Sequence, residues 1–326
     1  MRLAIIVGFA LALGAPGEFA RLAAHEPANN GSRFITLGTM GGPVGDGRRS
    51  QPANALVDGK DLYLVDAGDG VVQQLAKVGL ALPNVTAVFL SHLHADHTGG
   101  LSAVLALRNQ TMVAQKLTVY GPPGTREMVE GMISSMRPAA RAGYGIPGKP
   151  WPDPAGIVSV VEVGDGFTAS VGNMVVRAAQ NTHYDFAPGS EEDKAFKSLS
   201  FRFETAGRTI VYTGDTGPSA AVEKLAAGAD LLVSEMIDID STMATVARNS
   251  PNMPEKAKAD LVRHLTTHHL APPDVGKMAR HAGVKAVVVT HFAGGSASAA
   301  QVEGVKAGVR AEYQGPVTIA NDLDSF

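Results

Sequence analysis

The stretch "SHLHADHTGG", residues 91–100, sets three histidines and one aspartate within six positions and closes on two glycines. The preceding "TAVFL" reads as a buried strand, which puts His92 at a strand end, and "GLSAVLALRNQ" behind it has helical spacing. His92 and His94, two apart, can point to the same side of an extended or turning segment, while Asp96 and His97 lie beyond it. Four such groups on one short loop crowd a single tetrahedral site; two neighbouring metals accommodate them. Gly99 and Gly100 let the next helix begin close by without a Cβ clash.

Three later strand ends supply the remaining donors: His183 in "NTHYDF", Asp215 in "YTGDTG" and His291 in "VVTHFAGG". Such ends are where α/β folds gather functional loops. Read together, His92, His94 and His183 hold one metal, Asp96, His97 and His291 hold a second, and Asp215 bridges them. The chain has no cysteine, which excludes disulfides, thiolate metal sites and a thiol nucleophile. Imidazole and carboxylate donors alone then favour two Zn2+ per chain. A metal pair lowers the pKa of a shared water and clamps an anionic transition state, so hydrolysis by a metal-bridging hydroxide is the expected chemistry. Asp66 in "LVDAGDG" reads either as an acceptor behind a ligating imidazole or as a turn aspartate. His25, His264 and His281 stand outside the pattern and are read as structural.

Around these motifs the 326-residue chain alternates strands and helices, turns strand-rich in the middle and returns to alternation, with no tandem repeat. Residues 1–24 carry one early positive charge, an apolar run and then small residues and a proline, the layout of a secretory signal peptide. A periplasmic or secreted hydrolase domain over residues 25–326 is therefore expected. No later segment approaches the roughly 20 apolar residues of a membrane helix. Formal charge is −3 with no basic run, whereas a protein living on phosphate backbones normally shows a basic footprint. The Gly/Pro-rich residues 141–156 read as a surface loop, and with residues 238–265 they are expected to line the pocket.

The HxHxDH run, with "TLGTMGGP", "LVDAGDG", "YTGDT" and "HHLAPPDVGKMARHAGVKAVVVTHF" in order, resembles the metallo-β-lactamase superfamily. Within it, the resemblance is to the branch of ribonuclease Z and the secreted arylsulfatase-like hydrolases. It implies a four-layer αββα sandwich with the metals at one edge. It also implies a second role for Asp96, accepting a proton or orienting the hydroxide. His269 matches the family's leaving-group acid by its spacing to His291, with His268 as the adjacent competitor, and Glu235 in "LVSEM" matches the carboxylate that orients it. That pair separates hydrolases of phosphoric or sulfuric esters from those of β-lactams or thioesters.

The expectation is thus an exported dinuclear zinc hydrolase of small sulfate or phosphodiester esters, arylsulfatase-like or a phosphodiesterase, with a small anionic ester as partner. Alternatives are a lactonase or β-lactamase-type acyl hydrolase, a ribonuclease Z-type endonuclease, a redox di-iron protein and a non-catalytic metal-stabilised module. Di-iron members typically carry a glutamate where His94 stands. Ribonuclease Z carries a long arm for transfer RNA between the third histidine motif and the bridging aspartate. Here residues 184–214 are mostly hairpin, so nucleic acid is not favoured. A homodimer is left open.

Overall fold

Alternation along the strands decides the layering. In Asp61–Ala67, Leu62 and Leu64 pack with one apolar cluster while Tyr63 and Val65 pack with another, as a strand buried on both faces must. A computed structural model describes residues 31–45, 47–294 and 298–326; the signal peptide expected over residues 1–24 lies outside them. The first sheet holds β1 (Arg33–Gly38), β2 (Ala53–Asp58), β3 (Asp61–Ala67), β4 (Val85–Phe89), β5 (Leu117–Gly121), β6 (Val158–Glu162) and, beside β1, the C-terminal β14 (Asp324–Ser325). The second runs from β7 (Thr168–Val171) through β8 (Met174–Gln180), β9 (Leu199–Glu204), β10 (Thr209–Tyr212), β11 (Leu231–Ile237) and β12 (Val287–Ala293) to β13 (Val317–Ile319).

Each sheet is half antiparallel and half parallel. The direction changes at β3, antiparallel to β2 and parallel to β4, and again at β10, antiparallel to β9 and parallel to β11. Phe34, Phe89, Phe201, Phe203 and Tyr212 fill the space between the sheets. Helices α1 (Val71–Lys77), α3 (Leu101–Gln110) and α4 (Thr125–Ala142) cover the outer face of the first sheet, and α6 (Ala220–Leu225), α9 (Pro272–Ala282) and α10 (Ala299–Arg310) that of the second. The result is the expected αββα sandwich. Short helices α2 (Ala95–Thr98) and α5 (Glu191–Ala195) sit in loops at strand ends. Among the described residues no helix is long and apolar enough to cross a membrane.

Two expectations about the loops need correction. Residues 238–265 are not a loop: they form α7 (Ile239–Asn249) and most of α8 (Glu255–Thr267), a helical hairpin. Asp238 caps α7, its side chain accepting from the Ser241 amide. Residues 141–156 do not line the pocket. α4 runs on to Ala142, and the rest folds onto α3, with Tyr144 donating to the Gln110 carbonyl at 2.7 Å and Asn109 donating to the Pro152 carbonyl at 3.0 Å. Trp151 packs edge-on against Tyr144 there, on the outer layer. Composition marked a loop but carried no information about which side of the sandwich it covers.

Candidate metal centre

The site collects at the C-terminal ends of β3, β4, β8, β10, β11 and β12. The loops after β3 and β4 press together so closely that a Cβ on Gly100 would lie 2.2 Å from the Gly68 carbonyl oxygen, and one on Gly68 2.2 Å from that of Asp96. Two non-glycine residues, Asp66 (φ 57°) and His291 (φ 42°), adopt the left-handed conformation here. A β-strand residue held at positive φ is sparsely populated and persists where the surroundings dictate it.

His92 Nε2 and His94 Nδ1 stand 3.0 Å apart, and His183 Nε2 lies 3.3 Å from the same His94 nitrogen. Outer hydrogen bonds select the tautomers. Ser91 donates its hydroxyl to Asp66 at 2.8 Å, which leaves its oxygen to accept from His92 Nδ1 at 3.0 Å. His183 Nδ1 donates to the His268 carbonyl at 3.2 Å. Both Nε2 lone pairs therefore face inward. Burial pushes the His92 imidazole well below its usual pKa and takes His183 down to about 3. With the His94 ring beside them, these inward-facing imidazole nitrogens form a donor set that could hold a cation.

Beside it, His97 Nδ1 donates to Asp66 Oδ2 at 2.8 Å and aims Nε2 inward, 3.3 Å from Asp215 and 3.7 Å from Asp96. His291 Nε2 lies 3.2 Å from Asp215 and 3.7 Å from Asp96. Asp215 also reaches to 4.0 Å from His92 Nε2, so its carboxylate faces both groups. Burial opposes charge on Asp215, yet His291 and His97 hold its carboxyl well below the usual range. His97 Nε2, His291 Nε2 and Asp215 Oδ1 are buried with no aligned hydrogen-bond partner. Buried polar atoms are rarely left so, and ligation by a cation would satisfy all three. The donor set fits the implied metal pair, since all seven side chains singled out in the sequence fall into groups whose ligand atoms lie within 4.8 Å of one another.

Asp66 takes the first of its two readings: it accepts from His97 Nδ1, from the Ser91 amide and hydroxyl, and from the Tyr212 hydroxyl at 2.8 Å. Glu235 Oε2 holds His269 Nδ1 at 2.8 Å, and Oε1 accepts the Thr216 amide at 2.6 Å. His268, the competitor, instead sets Nδ1 2.9 Å from the Thr182 carbonyl. His264, read from sequence as structural, belongs to the site. Its ring lies 5.4 Å from that of His183 and 5.3 Å from that of His269, and the signal for it was its place in the run "HLTTHH", four and five residues before His268 and His269 at the end of α8. Ser91 and Tyr212 were also missed; only the placement of Asp66 reveals them.

A cavity of about 640 Å³ opens over these groups, with His94, Asp96, His183, Asp215, His269 and His291 at its floor. Residues 40–45, the end of β12 and the α7–α8 hairpin form its walls.

Comparison with known proteins agrees with this layout. Residues 62–292 match the Beta-lactamase superfamily domain. Ribonuclease Z of Mycobacterium sp. (strain KMS) is 33% identical over 260 residues, covering 79% of this chain and 83% of the relative. Among solved structures, human tRNase Z, short form, superposes with a TM-score of 0.59 at 22% identity, over 90% of this chain and 98% of that one. A diphosphatase from the PhnP family gives a TM-score of 0.60 at 14% identity, over 90% and 97%. With its two mixed sheets and its cluster of histidines and aspartates, the chain belongs to the metallo-β-lactamase superfamily, on the ribonuclease Z branch, and is a hydrolase of that fold.

Proposed function

We propose that this hydrolase is a zinc phosphodiesterase. The observation that carries the reading is the buried His269–Glu235 pair, whose imidazole lines the cavity over the candidate metal centre. His92, His94 and His183 would hold one Zn2+, and Asp96, His97 and His291 the other, with Asp215 between them. Zinc suits imidazole and carboxylate donors where thiolates are lacking. Bound there, the pair supplies an activated water near neutral pH and offsets charge on the phosphoryl group. The chain's own residues do the rest. Asp66 keeps the His97 lone pair directed inward, Asp96 at the cavity floor is placed to orient or deprotonate the attacking water, and His269 gives a proton from Nε2 to the departing oxygen. An alkoxide leaves poorly without that proton, whereas the thiolate of a thioester leaves unprotonated.

Relatives named ribonuclease Z favour a phosphodiester over a sulfate ester. They also weigh against the low rank that the lack of a basic run, the short stretch in place of an arm and the export signal expected from sequence gave nucleic acid, so cleavage of transfer RNA stands as the second reading. A small phosphodiester is preferred because the chain carries net charge −3, and because α5, in the stretch between His183 and Asp215, opens on Glu191, Glu192 and Asp193. The test is steady-state kinetics of the zinc-loaded protein on bis-p-nitrophenyl phosphate, p-nitrophenyl sulfate, a lactone and a transfer RNA precursor. Metal-dependent turnover of the phosphodiester is expected. Turnover confined to the sulfate or the lactone sinks the reading, and a far higher kcat/KM on the RNA installs the second.

A further inference from the structure

Helices α7 and α8 bury none of their residues in the protein core. Isolated helices of 11 and 13 residues are marginal in water unless an apolar face is covered. Their apolar face exists: Val246 on α7, Met253 in the connecting turn, and Leu261 and Leu265 on α8 all line the cavity, each only partly buried. Across from them Met40 and Phe292 add to the apolar wall. Among the described residues that line this cavity Arg49 is the single lysine or arginine, and its guanidinium sits 5.9 Å from the centre of the Phe292 ring.

The same space holds the reactive floor and this apolar wall, so a substituent that extends from the floor into this cavity lies against the wall. A polyanionic chain would set its successive phosphates against valine, methionine and leucine with scant cationic compensation, which is costly. We propose that the substrate is an amphiphilic phosphodiester, one of whose alcohols is an apolar alkyl or aryl group several carbons long, seated against Val246, Met253, Leu261 and Leu265. The inference rests on the phosphodiester reading above and narrows it to a substrate class. A cavity of about 640 Å³ falls within the range that encloses a small amphiphile. Each methylene fully buried against the wall strengthens binding roughly fourfold.

The test uses the zinc-loaded full chain and p-nitrophenyl phosphodiesters whose second alcohol is methyl, butyl or octyl, with calorimetric binding of methylphosphonate and octylphosphonate alongside. kcat/KM is expected to rise at least tenfold from methyl to octyl. Leu261→Asn with Leu265→Asn, and separately Val246→Asn on the other helix, are expected to remove most of that rise; an unchanged unfolding temperature shows that each variant is folded. A flat chain-length series, or a rise that survives in both variants, overturns the inference while leaving the phosphodiester reading in place. If none of the esters is turned over, that reading fails and calorimetry decides the inference. Octylphosphonate binding at least tenfold tighter than methylphosphonate, and losing that margin in the variants, supports the apolar wall; equal binding overturns it.

Discussion

Glu235 and His269 meet at 2.8 Å between Oε2 and Nδ1, the carboxylate fully buried and the imidazole nearly so. With Nδ1 engaged, Nε2 is the nitrogen left to serve a leaving group. General acids of this kind contribute roughly 10²–10⁴-fold. His269→Ala should therefore lower kcat on alkyl phosphodiesters by about 10²–10³-fold, but much less on p-nitrophenyl esters, whose anion departs unprotonated. Equal losses for the two leaving groups would show that His269 is not the acid.

The same pair sets a pH limit. Burial works against a charged imidazole at His269, but Glu235 and Asp215 outweigh it and raise the pKa to about 9. An acid acts only while protonated, so kcat on an alkyl ester should fall as pH rises through that region and stay level below it. In Glu235→Gln the principal raising charge is gone, and the falling limb should shift to lower pH, toward the ordinary histidine value of about 6.5. Cations bound nearby lower both limbs together, so the displacement between the two profiles is the measurement. Superimposed profiles would mean that Glu235 does not govern the proton on His269.

The seven candidate ligands were legible in the sequence because each lies in the loop following a strand or, like His291, near the end of one, and because few residue types do this chemistry. Placement, not identity, was the hidden part. Asp66 could equally be a turn aspartate until the fold set it between Ser91 and His97, from the loop after β4, and Tyr212, at the end of β10. The helices of residues 239–267 went unread because their apolar residues are sparse and face a cavity instead of a core. His264 looked isolated for a related reason: its neighbour His183 is brought to it only by the pairing of β8 with β9 and the return of the chain through α8.

Asp66→Asn tests how far support behind the ligands matters. Asparagine tolerates the left-handed backbone that Asp66 adopts at φ 57°, so the loop should stand. Its amide offers one accepting oxygen, however, where Oδ1 and Oδ2 now take four donors. His97 loses the contact that fixes its tautomer, and affinity for one zinc should drop roughly 10–100-fold. Competition against a chromophoric chelator reads this directly. Two equally tight zinc sites in the variant would remove Asp66 from the account.

Metal removal should cost stability as well as activity. In the folded chain His97 Nε2, His291 Nε2 and Asp215 Oδ1 are buried without aligned partners, and three neutral imidazole nitrogens converge beside them. Without a cation the fold bears the desolvation of those groups with nothing in return. A ligand that binds the native state alone stabilises it by about 4 kcal/mol at a thousandfold excess over its Kd, which for a chain of this size amounts to roughly 6 °C in Tm. Thermal unfolding in chelator, and again after zinc is restored, should show a reversible gap of that order, larger than calcium or magnesium can produce because those ions prefer oxygen donors. Coincident transitions with and without zinc would mean that the cluster is held by hydrogen bonds among its own imidazoles, and the hydrolytic reading would lose its footing.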